Sequence, residues 1–126
     1  MQFDFRELPA KDRYRLLCSF VAPRPIALVT TVSDRGQMNA APMSFFNVFA
    51  HEPPIVILGL NTRPDGSLKD TTLNIGETGE FVVNLCDLPM AQQMVDCGIG
   101  FPRGVDEVDK AGLSLIPSLQ VRPGRV

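Results

Sequence analysis

The amino-acid sequence predicts an antiparallel β-barrel or β-sheet with short helices at its periphery. Runs of β-branched and apolar residues, such as Ile26–Val32 and FVVNLC, recur along the chain with turn residues between them. The predicted helices are short and do not alternate regularly with the strands, which argues against a parallel doubly wound sheet. Gly98–Arg103 begins like a dinucleotide-binding fingerprint but ends in arginine and follows a predicted helix instead of a strand. We therefore expect a mostly β protein that is neither a Rossmann nor a P-loop domain.

The first half of the chain is predicted to contain one helix and three strands. Glu7 to Phe20 has an amphipathic pattern with Pro9 in its first turn, as is typical of a helix start. Ile26–Val32 is a strand, and QMNAAPMSFF forms a second, irregular one. Pro42 cannot donate a ladder hydrogen bond, so it indicates a sheet edge or a bulge. After HEPP turns the chain, IVILGL is predicted to be a buried strand.

The second half is predicted to be more irregular. Leu68–Ile75 has the pattern of one or two helical turns, FVVNLC that of a strand, and Leu88–Val95 that of a helix. The tail from Asp96 is expected to be mostly loop, with a helical turn near Asp106–Ala111. Because the sequence contains no repeat, low-complexity tract or linker, we expect residues 1–126 to form a single domain.

The composition excludes several functional classes. With 126 residues, 44% of them hydrophobic, the chain can form one compact core. Twelve basic and fourteen acidic side chains form no basic cluster, which argues against nucleic acid as a partner. No apolar run approaches the roughly 20 residues that cross a bilayer, and the N-terminus lacks the apolar region of a signal peptide. Three cysteines and one histidine show no metal-ligand spacing. These features predict a cytoplasmic protein without a metal site.

A turn-rich segment, Arg63–Thr72, could bind an anion. Gly66 and Ser67 open a predicted helix, and helix N-termini present free N–H groups and a partial positive charge. Lys69 adds a formal charge, Thr71 adds a hydroxyl donor, and an arginine can bind phosphate with two parallel hydrogen bonds. The alternative is an exposed loop in which Ser67 is an ordinary N-cap.

The stretch NAAPMSFFNVFAHEPP could line a planar ligand. Small residues allow close approach to the backbone, and the neighbouring aromatic rings offer apolar surface. In the preceding strand, Thr30 and Thr31 point to opposite faces, so one of them should face a barrel interior or cleft, although ordinary β-propensity also explains them. His51 is interpreted as a surface residue or a general acid, and Cys86 and Cys97 as small buried apolar residues. No nucleophile–base pair is evident, which indicates that the chemistry depends on a cofactor.

The ordered set PRPIALVTT, NAAPMSFFNVFAHEPP, IVILGL, RPDGSLKDTTLNI and EFVVNL resembles the flavin reductase-like, FMN-binding split-barrel family from about Ser19 to the C-terminus. The resemblance implies an antiparallel, Greek-key-like split barrel and a homodimer with FMN at the subunit interface. It implies flavin reduction by NADH or NADPH, with electrons passed to a further acceptor such as a partner monooxygenase. A non-catalytic FMN-binding or electron-carrier protein is the alternative.

The resemblance also implies a set of cofactor-binding residues. Those expected around the flavin ring and ribityl chain are Thr30, Thr31, Asn39, Ala41, Pro42, Ser44, Phe45 and Asn47. Those expected at or near the phosphate are Arg63, Lys69, Asp70 and Thr71. Family members usually continue beyond the point that matches VRPGRV with further strands. We therefore expect either a truncated form or a partner subunit that covers the open strand edge.

Overall fold

The computed structural model of the chain describes residues 2–126, so Met1, the first residue of the predicted domain, lies outside the described residues. The described residues form five strands and four helices. In chain order these are α1 (Ala10–Phe20), β1 (Ala27–Val32), β2 (Met38–Met43), β3 (Phe46–His51), β4 (Pro54–Leu58), α2 (Asp70–Thr78), β5 (Val82–Leu85), α3 (Ala91–Asp96) and α4 (Glu107–Lys110).

The central strand of the three-stranded sheet is β1, and all six of its residues are buried. It pairs antiparallel with β2 on one side and with β5 on the other. The return of β5 to pair with β1 is the kind of long connection found in Greek-key folds. Because β2 is an edge strand, the outward-facing side of Pro42 needs no ladder partner, and the predicted edge position is confirmed.

The hairpin β3–β4 forms a second, two-stranded sheet, with a register shift between Val48 and Ala50. The HEPP segment turns the chain between its two strands as predicted. The prediction that IVILGL is buried is wrong for this chain, because Ile55, Val56 and Ile57 are each more than 40% exposed. Phe46 and Leu58 of this hairpin pack against core residues of β1 and β2, whereas its outer apolar side chains stay largely exposed within residues 2–126.

The backbone conformation of the capping residues fixes where the helices begin and end. Pro9 has an extended ψ of 149°, so α1 begins at Ala10 and not at Glu7 as predicted. The α2 helix spans Asp70–Thr78 and is followed by Gly79, whose φ of 70° gives the left-handed C-cap that glycine favours. The predicted turn near residue 106 is confirmed as α4.

The core lies on both faces of β1, because successive side chains of a strand point to opposite sides. Leu28 packs in a cluster with Cys97 and Val108, which brings the C-terminal segment and α4 against β2. Ala27 and Val29 pack in a second cluster with Met43. In the described part of the chain, no helix combines the length and the apolarity needed to cross a membrane.

Candidate functional site

A cleft of about 420 Å³ separates the edge strand β2 from the loop that leads into α2. We call it the β2–α2 cleft. Its walls come from five parts of the chain, namely β2, the loop before α2, the first turn of α2, the segment after α3, and α4. The lining residues are Asn39, Ala41, Pro42, Met43, Thr62, Arg63, Pro64, Lys69, Asp70, Thr71, Cys97, Gly98, Ile99, Gly100, Phe101 and Glu107.

The loop before α2 is closed by its own hydrogen bonds. The Arg63 N–H donates to the Ser67 carbonyl at 2.8 Å, and Gly66 takes the positive φ of 83° that the tight turn requires. The Ser67 hydroxyl donates to Asp65 Oδ1 at 2.7 Å, so Ser67 closes the loop and is not the N-cap of α2. Lys69 occupies the N-cap position without a side-chain cap. The first turn of α2 therefore faces the cleft directly after this lysine.

The positive charges around the cleft differ in their partners. Arg63 Nη2 lies 3.2 Å from Asp70 Oδ2, and Arg63 also donates to the Leu68 carbonyl. Arg103 Nε lies 3.9 Å from Asp70 Oδ1. The side chain of the exposed Lys69 makes no ion pair or hydrogen bond among residues 2–126. Lys69 is therefore the cleft cation that is free to meet an incoming anion.

A chain of buried polar side chains forms part of the cleft wall. The Asn39 amide lies 3.0 Å from the Thr71 hydroxyl, and its other end lies 3.3 Å from Glu107 Oε2. All three residues are less than 9% exposed. Burial raises the pKa of the Glu107 carboxyl, and the nearby Asp70 charge raises it further, against an opposing backbone hydrogen bond. Sequence reasoning missed Glu107, since an acidic residue in a short surface helix carries no signal of burial.

Thr30 and Thr31 lie in the core and not in the cleft. Thr30 Oγ1 donates to the Gly124 carbonyl at 2.5 Å, and Thr31 Oγ1 accepts from Asn74 at 3.1 Å. Both residues are 0% exposed, so neither offers surface to a ligand in this chain. Their hydroxyls join β1 to the C-terminal segment and to α2.

A smaller pocket of about 140 Å³ adjoins the cleft and shares Pro42, Met43 and Lys69 with it. Ser44 and Phe45 line this pocket, and the Tyr14 ring of α1 lies 5.8 Å from the Phe45 ring. Gly59 is required beside Phe45, because a Cβ there would lie 2.7 Å from the Phe45 Cβ. We call this space the Tyr14 pocket.

An apolar groove of about 380 Å³ lies beyond Phe45 and is lined by Asn47, Phe46 and Phe49 among others. The side chain of the exposed Asn47 accepts a hydrogen bond from the Val48 N–H at 2.8 Å.

The predicted site residues are thus divided among the cleft, the Tyr14 pocket, the apolar groove and the core. Seven of them line the β2–α2 cleft, namely Asn39, Ala41, Pro42, Arg63, Lys69, Asp70 and Thr71.

His51 and Cys97, which were also considered from the sequence, are not placed as catalytic residues. His51 is exposed at the end of β3. Cys97 is buried, and desolvation with nearby acidic groups raises the pKa of its thiol to about 11, so it stays protonated near neutrality. Among residues 2–126, no group of three or more acidic, histidine or cysteine side chains is placed to hold a metal ion.

Residues 20–125 match the model of the flavin reductase like domain, and the chain belongs to this family. An uncharacterized protein of Aquifex aeolicus is 40% identical over 126 residues, which are 100% of this chain and 64% of that protein. The resemblance predicted from the sequence is therefore confirmed.

Solved structures agree with this assignment. Nitrilotriacetate monooxygenase component B from Bacillus cereus matches with a TM-score of 0.91 and 33% identity, over 98% of this chain and 61% of that one. The Pseudomonas fluorescens 2-nitrobenzoate 2-nitroreductase matches with a TM-score of 0.83 and 35% identity, over 99% and 59%. A Shewanella frigidimarina protein with a split barrel domain matches with a TM-score of 0.77 and 20% identity, over 98% and 62%. The split-barrel fold is confirmed, and the chain spans about 60% of the length of these proteins.

Proposed function

We propose that the chain binds FMN, with the phosphate at Lys69 and the first turn of α2 and with the rest of the cofactor along β2. The observation that carries this proposal is the free Lys69 at the N-terminus of a nine-residue helix, facing the β2–α2 cleft. A helix N-terminus adds N–H donors and a partial positive charge to the lysine, and both favour a phosphate.

The cleft fits such a cofactor in size and in chemistry. Its volume of about 420 Å³ lies within the range of small-molecule sites. Asp70 Oδ1 is buried and lacks a hydrogen-bond partner among residues 2–126, so a ligand hydroxyl, such as those of a ribityl chain, would satisfy it. Ala41 and Pro42 present small or flat apolar surface beside these polar groups, as a ring with polar edges requires.

The proposed activity is hydride transfer from NADH or NADPH to the flavin, with electrons passed to a further acceptor. When bound, the flavin supplies the redox chemistry, and the chain binds, orients and shields it. Family membership supports flavin binding, and the similarity to a monooxygenase component supports a partner monooxygenase as the acceptor. We place the protein in the cytoplasm, because Cys18, Cys86 and Cys97 are all free thiols.

The exposed apolar surface supports a homodimer. Phe49 and Val48 are each 65% exposed on β3, and Ile55, Val56 and Ile57 on the paired strand β4 are each more than 40% exposed. Apolar patches of this kind on a soluble protein usually mark interfaces. In a dimer, the β3–β4 hairpin would be covered by the second subunit.

An absorption spectrum of the purified protein, followed by titration with FMN and FAD, tests the proposed cofactor. We expect flavin absorbance and tighter binding of FMN; equal or tighter binding of FAD would contradict the assignment. Oxidation of NADH or NADPH is then followed with FMN present. Turnover supports the reductase, whereas FMN binding without turnover favours the non-catalytic carrier.

A further inference from the structure

Arg24 carries hydrogen-bond donors that the fold does not use. Its Nη1 donates to the Cys18 carbonyl at 3.0 Å and to the Val21 carbonyl at 2.8 Å, which satisfies two free carbonyls at the C-terminal end of α1. Its Nε is buried and has no hydrogen-bond partner among residues 2–126. Because a buried donor without an acceptor is unfavourable, the contact with α1 does not account for this edge of the guanidinium group.

The positive charge of Arg24 is also unbalanced. No carboxylate of residues 2–126 forms an ion pair with it, in contrast to Arg63 and Arg103. Its guanidinium carbon lies 5.8 Å from the centre of the Phe45 ring, within the range of a cation–π contact. This contact and the two bonds of Nη1 fix the position of the group but bring no negative charge to it.

Arg24 lines the apolar groove that lies beyond Phe45. Among the described residues, it is the one charged side chain in the lining, and no acidic side chain accompanies it. Three phenylalanines and two prolines supply flat apolar walls, and the volume of about 380 Å³ lies within the range of small-molecule sites. A complementary ligand therefore has a flat apolar body and one negative group at the end that meets Arg24.

We propose that the apolar groove binds a small aromatic carboxylate, with its ring among the phenylalanines and its carboxylate on Arg24. A carboxylate accepts two parallel hydrogen bonds from neighbouring nitrogens of a guanidinium group. The edge that contains Nε is the one that α1 leaves unused. The ligand would satisfy the buried donor and balance the charge at the same time.

The proposed carboxylate site is separate from the proposed FMN site. The groove and the β2–α2 cleft have no lining residue in common. The Tyr14 pocket, which adjoins the cleft, shares Ser44, Phe45 and Gly59 with the groove and so connects the two. The aromatic carboxylate would bind beside the flavin and not in its place, and the inference does not depend on FMN binding.

A second copy of the chain is the competing occupant of the groove, because Phe49 also belongs to the surface proposed for the homodimer. The exposed apolar side chains of a second β3–β4 hairpin would cover the phenylalanines. They carry no acceptor for Nε of Arg24 and no charge to balance it. The unpaired guanidinium group therefore favours the carboxylate.

The experiment is a calorimetric titration of the full chain with 2-naphthoate and with its neutral analogue 2-naphthamide near neutral pH. In the wild type, we expect 2-naphthoate to bind at least about tenfold more tightly, the size of a hydrogen bond to a charged group. Arg24→Gln should remove this preference. The matched control Arg35→Gln, at an exposed arginine between β1 and β2, should retain it. Equal binding of both probes to the wild type, binding of neither, or a preference that survives in Arg24→Gln would overturn the proposal.

A second measurement needs no substitution, since Arg24→Gln also removes the contact with the end of α1. In NMR spectra of the wild type, the Nε–H signal of Arg24 should shift on addition of 2-naphthoate and stay in place with 2-naphthamide. A signal that 2-naphthoate does not move would overturn the proposal, even if Arg24→Gln loses both probes through damage to the helix.

Two further titrations test the other occupants. Saturating FMN should leave the Kd of 2-naphthoate nearly unchanged, whereas direct competition would make the groove part of the flavin site and overturn a separate one. Binding of 2-naphthoate that appears only when a dimeric protein is diluted would assign the groove to the second copy. A protein that binds 2-naphthoate but not FMN would refute the proposed function and leave the carboxylate site standing.

Discussion

Replacing Lys69 by alanine removes the one cleft cation that has no partner among residues 2–126, and the effect should depend on the phosphate of the ligand. Lys69 is the N-cap residue of α2 but makes no side-chain cap, so the helix should lose little when the side chain is shortened. Its ammonium group is exposed and faces the β2–α2 cleft. The loss should therefore appear in ligand binding and not in folding.

The magnitude follows from the exposure of the side chain. A hydrogen bond to a charged group contributes about 1.5–3 kcal/mol, which corresponds to a ten- to hundredfold change in Kd. Because solvent and salt screen an exposed lysine, we expect the lower end, roughly tenfold at physiological ionic strength, and a larger ratio in dilute buffer.

The assay is a fluorescence titration of FMN and riboflavin into the wild type, Lys69→Ala and the matched control Lys11→Ala. Lys11 is an exposed lysine on α1, so its removal changes the net charge equally without touching the cleft. Riboflavin, which lacks the phosphate, should bind all three proteins alike. An equal loss for both ligands in Lys69→Ala would indicate damage to the fold, and unchanged FMN binding would refute the phosphate site.

Three further predictions concern stability, assembly and thiol chemistry. Asn84→Ala should lower the free energy of unfolding by about 2–4 kcal/mol, measured by denaturant titration, because the buried amide bonds Leu28 and Thr30 and accepts from the Val126 N–H. Phe49→Asp should raise the dimer Kd at least about tenfold in sedimentation experiments, whereas a monomeric wild type at micromolar concentration would contradict the interface. Because the folded-state pKa of Cys97 is raised to about 11, its contribution to stability is complete below the unfolded thiol pKa and is lost as the pH rises toward 11. Cys97 should therefore resist alkylation at pH 8 until the protein unfolds, and rapid labelling of the native state would show that it is accessible.

The fold was largely predictable from local patterns. Interactions between residues close in sequence explain three of the correct predictions. These are the β-branched strand β1, the edge position of β2 with its proline, and the turn before α2. The burial of β4 was predicted wrongly because an apolar strand looks the same whether its cover comes from its own chain or from another molecule. Ile55–Ile57 contains the residues of a core strand, yet each of the three is more than 40% exposed within residues 2–126.

The candidate site was predictable where a motif is continuous and not where contacts are long-range. Lys69 and Thr71 belong to one loop and helix start, so their common location follows from the sequence. The burial of Thr30 depends on Gly124, which lies 94 residues further along the chain. The burial of Asn39 depends on α2 and α4, which also come later in the chain. No spacing along the chain indicates that Glu107 would lie beside Asn39.

The pairing of Asp70 with two arginines has an electrostatic consequence for ligand selection. One carboxylate balances Arg63 and lies near Arg103, which is also within 3.5 Å of Glu77. The positive potential that these guanidinium groups would project is therefore largely cancelled within the protein. What remains for an anionic ligand in the proposed site is about one lysine charge and a helix end. A long polyanion brings more negative charge than this cleft can compensate, so we expect charge balance to disfavour nucleic acid. A phosphate monoester carries nearly two negative charges near neutral pH, as a diphosphate diester does, so charge balance does not distinguish FMN from FAD.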